Sequence, residues 1–150
     1  MESIRPSQVR ARILQEHATL RVKLDSIALL IEELQAGSAA AFTRALTKAQ
    51  ALYRDLRAHI DFEDELLGPA LRDIDSWGPL RADRLASHHR EQRQQLRTLA
   101  ERSNSESPEG LAGLLTSLIQ ELRTDMLFEE RDVLSADLLR DDLISVGEDG

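Results

Sequence analysis

Two segments of the chain set potential metal ligands one helical turn apart: His59-x-x-x-Glu63 and Asp125-x-x-x-Glu129. On a helix, residues four apart share a face, so both members of each pair can reach one cation or bridge two. His17 and His89 extend the set to six. All six interrupt apolar stripes spaced by three and four. The first stripe runs Ile13, His17, Leu20, Leu24, Ile27, Ile31, Leu34, and the second Phe42, Ala45, Ala49, Leu52, Leu56, His59, Glu63, Leu66, Ala70. The third reads Leu85, His89, Gln92, Leu96, Leu99, and the fourth Leu111, Leu115, Leu118, Leu122, Asp125, Glu129. Such stripes face the interior of a helical bundle, where an unpartnered carboxylate costs several kcal/mol. Three carboxylates beside histidines in one core therefore require a cation. Imidazole with carboxylate suits iron or manganese. Six candidates exceed the four ligands that a single tetrahedral zinc ion takes, so two metal ions are expected.

The elements that carry these residues are four long helices separated by Pro, Gly and polar residues. Ser7 can cap the first, which is expected to end near Gly37. Ser38 can cap the second, which runs toward Leu71 with Gly68-Pro69 loosening its last turn. A loop from Asp73 to Gly78 follows, and Pro79 suits the first turn of the third helix. Ser103 to Glu106 forms the next connection, and Ser107-Pro108 reads as a cap followed by proline at the first helical position. Short connections between long helices predict an all-α, up-down-up-down antiparallel four-helix bundle over residues 1–145, with an acidic tail at 146–150. No strand is expected. His17 and His59 lie at nearly equal chain distances on either side of Gly37, and His89 and Asp125 lie symmetrically about the Ser103 to Pro108 connection. Given the constant rise of a helix, all four levels coincide, toward the bundle end that carries the Asp73 to Gly78 loop.

Composition narrows the chemistry. The chain has 150 residues and no cysteine, which removes disulfides, thiolate zinc sites, iron–sulfur clusters and cysteine nucleophiles. Any metal must be held by nitrogen and oxygen. A formal charge of −8 argues against nucleic acid and anionic membranes as partners. No apolar run approaches the roughly 20 residues of a membrane span, and the opening residues show no secretory pattern, so a cytoplasmic protein is expected.

The two halves repeat each other. Phe62 and Phe128 hold the same place, Asp64 and Glu130 follow the two glutamates, and Glu16-His17-x-x-x-Arg21 matches His88-His89-x-x-x-Arg93. With His59-Ile60-Asp61-Phe62-Glu63-Asp64-Glu65-Leu66-Leu67-Gly68-Pro69-Ala70-Leu71 and Asp125-Met126-Leu127-Phe128-Glu129-Glu130, these motifs resemble the hemerythrin-like domain, the His-His-Glu family of non-haem di-iron bundles, over residues 10–140. The resemblance makes His17, His59 and His89 terminal ligands and Glu63 and Glu129 bridging carboxylates. It implies two Fe ions, with Mn an alternative, further bridged by oxo or hydroxo. The implied partner is O2 or another small diatomic molecule. The ferritin-like di-iron signature, Glu-x-x-His on two helices, is absent.

Two positions depart from the family. Asp125 stands where a histidine usually opens the fourth-helix motif, and Arg93 stands where oxygen carriers place a second histidine on the third helix, with Gln92 nearby. Three histidines and three carboxylates leave two ferrous ions with less net positive charge than the five-histidine set does. The ferric state is favoured, and oxygen is expected to be reduced rather than held reversibly. His88 and His89 cannot share one stripe position; His89 keeps the spacing and matches His17, which places His88 outside the ligand set. Phe62 and Phe128 are assigned to the core. Arg21 and Arg93 can pair with acids such as Asp64 and Glu130, or belong to a solvated face. The functional expectation is a non-haem di-iron protein that binds or reduces O2, or senses O2, NO or iron. The alternative is an interaction or structural module that kept the bundle and lost one metal or both through Asp125. Iron storage would require assembly into a shell.

Overall fold

Pro6 opens the first helix, where a residue without an N–H fits best. A computed structural model describes residues 4–142, so the boundary at 145 and the acidic tail 146–150 lie outside the described residues. Helix α1 spans Pro6–Ala28. Its cap is Arg5 rather than Ser7, because Pro6 already occupies the first helical position. The Arg5 N–H donates to Gln8 Oε1 at 2.9 Å, while the Ser7 hydroxyl donates to Asp141 Oδ2 at 2.8 Å. The helix does not run unbroken to Gly37. It turns at Leu29 and Leu30 and resumes as α2, Ile31–Gln35. The turn buries Leu30 and leaves Leu29 exposed, so Leu30 rather than Ile31 continues the buried stripe. Gly37, at φ +82, takes the left-handed position that ends the helix.

Ser38 caps α3, Ala39–Phe62, accepting from the Ala41 N–H at 3.1 Å. One π-helical turn follows over Glu63–Leu67, and then α4, Gly68–Arg72. Pro69 has no N–H for the Glu65 carbonyl and its ring crowds that carbonyl, which favours a wider turn. The extra residue in the turn moves the buried stripe from the expected Leu66 and Ala70 to Leu67 and Leu71. Helix α5 is Gly78–Arg102, with Pro79 in its first turn. A Cβ at Gly78 would lie 2.0 Å from the Leu71 carbonyl oxygen, so only glycine lets α5 start so close to α4. A short 3-10 turn, Ser103–Ser105, leads to α6, Pro108–Asp132, which Ser107 caps by accepting from the Gly110 N–H at 3.0 Å.

The long helices form an all-α up-down-up-down bundle: α1 packs on α3 and α6, and α5 packs on the same two. There is no strand among the described residues, and none of their helices is long and apolar enough to cross a membrane. The core has two parts. A larger one, including Leu24, Leu52, Leu56, Leu115 and Leu122, fills the bundle from the Gly37 end. A smaller one at the other end joins Val9, Ile13, Phe62, Leu67, Leu71 and Leu85 to Val133, Leu134 and Leu139. The segment after α6 thus folds back over the bundle end, fixed by Arg10 Nε donating to the Leu134 carbonyl at 2.6 Å. Between the two apolar parts lies one polar layer.

Candidate metal centre

His17 on α1, His59 on α3, Glu63 at the start of the π turn and Glu129 on α6 form the heart of that layer. All four are buried, and one ligand atom from each lies within 4.8 Å of the others. His59 Nε2 is 2.5 Å from Glu63 Oε1, and His17 Nε2 is 3.2 Å from Glu129 Oε1. The rings of His17 and His59 are 5.0 Å apart. His89, also buried, approaches from α5, its Nε2 3.8 Å from Glu63 Oε1. The sixth residue stands apart. Asp125 is partly exposed and outside the four-residue cluster, its Oδ2 accepting from Gln92 Nε2 at 3.1 Å. After Leu122 the buried stripe of α6 passes through Met126 instead.

Asp125 borders a cleft of about 310 Å³ between α5 and α6, lined also by His88, Phe128 and Arg84, with Glu129 at its inner side. His88 is 38% exposed and stacks on Phe128, ring centroids 5.4 Å apart and planes 12° from parallel. Phe128 is therefore a cleft wall and not the core residue expected; as the outward neighbour of buried Glu129, it is exposed. Phe62 is in the core, with the Arg12 guanidinium 3.9 Å above its ring.

Each buried imidazole is held the same way. His17 Nδ1 donates to Glu130 Oε2 at 2.7 Å, and Arg21 donates to that same oxygen at 2.7 Å. His59 Nδ1 donates to Glu16 Oε1 at 2.6 Å, and Arg12 reaches the other Glu16 oxygen at 3.1 Å. His89 Nδ1 donates to Asp64, which accepts from Arg93 at 2.8 Å; Arg93 also holds Asp61 at 2.8 Å. An ionised carboxylate can only accept, so the ring proton sits on Nδ1 and the Nε2 lone pair turns inward, the form that ligates a metal. The pairing of Arg21 with Glu130 and of Arg93 with Asp64 follows the repeat, each hairpin supplying the acid for the other's histidine. The relay of Arg12, Glu16 and His59 escaped sequence reasoning; its available signal is the four-residue spacing of Arg12 and Glu16.

Without a metal, protons take its place. Burial alone would raise Glu63, but the neighbouring Glu129, His59 and His89 hold it well below the usual carboxylate range. Burial and the charge of Glu63 push Glu129 well above that range. Burial works against a charge on His59, yet Glu16 and Glu63 raise it to about 9. Burial lowers His17, while Glu63 and Asp64 raise His89 against the same penalty. Even so, His17 Nε2, His89 Nε2, Glu63 Oε2 and Glu129 Oε1 are buried without a hydrogen-bond partner. Four inward lone-pair atoms left unsatisfied in one layer fit a bound cation, and their nitrogen and oxygen character fits iron or manganese.

Residues 2–71 match the family model described as Hemerythrin HHE cation binding domain, a span that contains His17, His59 and Glu63. No curated protein and no solved structure matches the chain. His89, Asp125 and Glu129 lie beyond the matched span, and Glu129 joins the cluster through the fold. The first hairpin is thus similar to the hemerythrin HHE cation-binding domain, and the second closes a His/Glu cluster that can bind metal.

Proposed function

We propose that this is a non-haem iron protein that holds two iron ions between its helices and uses them to react with O2 or a similar diatomic molecule. The observation that carries this reading is the set of buried, partnerless ligand atoms on His17, His89, Glu63 and Glu129, whose clustering in one layer suits a cation. His17, His59, Glu63 and Glu129 would hold one ion; His89 and Asp125 would hold the other, sharing the two glutamates. Bound iron supplies one-electron redox chemistry toward small diatomic ligands. The chain supplies the rest. The two apolar clusters exclude bulk water from the layer, Arg12, Arg21 and Arg93 fix the acids that orient the imidazoles, and the cleft beside Asp125 admits a small molecule as far as Glu129.

One observation favours a second reading. Asp125 lies outside the four-residue cluster, as it would if the protein kept a single metal. Iron analysis of His17→Ala and His89→Ala, beside the unaltered chain, separates the two readings. The two-iron centre loses iron in both variants, whereas a single-metal site loses it only in His17→Ala.

A further inference from the structure

The internal repeat aligns Glu16-His17 with His88-His89, and His59 with Asp125. In the first half the outer residue is an acid and the inner one an imidazole: Glu16 Oε1 accepts from His59 Nδ1 at 2.6 Å. In the second half the same two group types stand near each other with their positions exchanged and without a hydrogen bond between them. His88 Nδ1 stands 3.9 Å from Asp125 Oδ1, the imidazole now outside and the carboxylate inside. Gln92 donates to the other Asp125 oxygen, Oδ2, at 3.1 Å.

The exchange changes the chemistry of that half. The negative charge that stands at the outer position in Glu16 stands at the inner position in Asp125. A carboxylate is also shorter than an imidazole, and Asp125 borders the cleft of about 310 Å³ walled by His88 and Phe128. The first half has two buried imidazoles, on His17 and His59. The second has one, on His89, while its His88 and Asp125 line the cleft.

We propose that the centre is built of two unlike positions: a closed, imidazole-rich one at His17 and His59 that holds its metal tightly, and an open, oxygen-rich one at His89 and Asp125. In the open position His88 orients Asp125, and the metal is exchangeable and drawn from hard divalent cations such as Mn(II). This rests on the two-metal reading above. His88 acts through Asp125 and is a positioning residue. Imidazole ligands favour the later divalent metals, and carboxylates favour Mn(II) and its like, so the same bundle sorts two cations by ligand type.

The test is anaerobic Co(II) titration of the metal-free full chain, followed by visible absorption, with Mn(II) then added to the one-cobalt protein and free Mn(II) read by electron paramagnetic resonance. The expected result is a first Co(II) bound at least about tenfold more tightly than a second, the scale on which outer partners tune metal sites. Mn(II) then fills the second position. His88→Ala should weaken only the second binding event. The combination His88→Glu with Asp125→His rebuilds the arrangement of the first half and should bring the two Co(II) affinities together. Asp125→His alone should not, because His88 then faces another imidazole. Equal affinities in the unaltered chain, or a second affinity that His88→Ala and the double exchange both leave unmoved, overturn the proposal. Saturation at one Co(II) removes the second position and the two-metal reading with it. No Co(II) binding by a chain with intact helical circular dichroism overturns the metal centre itself.

Discussion

His17 and Glu130 lie 113 residues apart in the chain and meet across the bundle at 2.7 Å, with Arg21 on the same carboxylate oxygen. The relay joins the first helix to the last through one shared atom. It keeps Glu130 ionised, since burial would raise its pKa but Arg21 and His17 lower it further, and it keeps the His17 proton on Nδ1.

Arg21→Gln should therefore weaken metal binding about tenfold without unfolding the bundle, because Arg21 touches no ligand atom directed at the metal. Arg21→Lys should recover part of the loss, as it restores the charge but not the planar fork. Metal titration gives the affinity, and the nitrogen chemical shifts of His17 report whether its proton has left Nδ1. An affinity unchanged by Arg21→Gln would make the relay a surface ion pair only.

Glu129→Gln should separate metal binding from folding. In the metal-free protein Glu129 hydrogen-bonds to Glu63 while its own pKa is pushed well up, and a glutamine amide can keep that donor role without a titratable group. Stability of the metal-free variant is expected within about 1 kcal/mol of the parent, while the rise in melting temperature on metal addition is lost. Thermal unfolding with and without metal checks both halves of the statement. A variant that unfolds without metal would assign Glu129 a structural role.

Metal and protons should compete. The pKa of His59 is raised from 6.5 to about 9 in the metal-free fold, so its contribution to stability is complete below 6.5 and is lost as pH rises through about 9. Metal binding requires the same Nε2 free of its proton, so apparent metal affinity should rise with pH up to about 9 and proton release should accompany binding below it. Calorimetric titration in buffers of different ionisation enthalpy measures that release. Binding that releases no proton near neutral pH would contradict the protonated His59.

Much of this centre was legible because a polar residue on an apolar helical stripe is an exception that needs a reason. His17, His59, Glu63, His89 and Glu129 were placed in the core by spacing alone, and the structure buries all five. Asp125 shows the limit of that reasoning: a stripe may continue from Leu122 by three residues or by four, and the fold takes the step of four to Met126. The π turn was hidden for a similar reason, since Leu66 and Leu67 are both apolar and Ala70 and Leu71 are too. The closing segment Val133 to Leu139 has no helical period to read, and its burial depends on tertiary contact with Val9 and Ile13. Phe128 shares a motif position with Phe62, but only the three-dimensional packing shows that one faces the core and the other a cleft.

The two neighbouring histidines should behave differently. His89 is buried with its Nε2 unpartnered toward Glu63, whereas His88 is partly exposed against Phe128. His89→Ala should lose the metal it shares with Asp125, and His88→Ala should keep the metal held at His17 and His59. Metal content of the two purified variants decides this, and the opposite pattern would reverse the register of α5 in the site.

The most direct measurement is iron per chain after anaerobic reconstitution with Fe(II), followed by exposure to air under absorption spectroscopy. A binuclear centre rich in carboxylate should hold about two iron ions per chain and convert rapidly to a stable ferric form, with charge-transfer absorption appearing as it does so. A chain that binds one iron or none, or whose bound iron stays ferrous in air, would contradict a two-iron centre that reacts with oxygen.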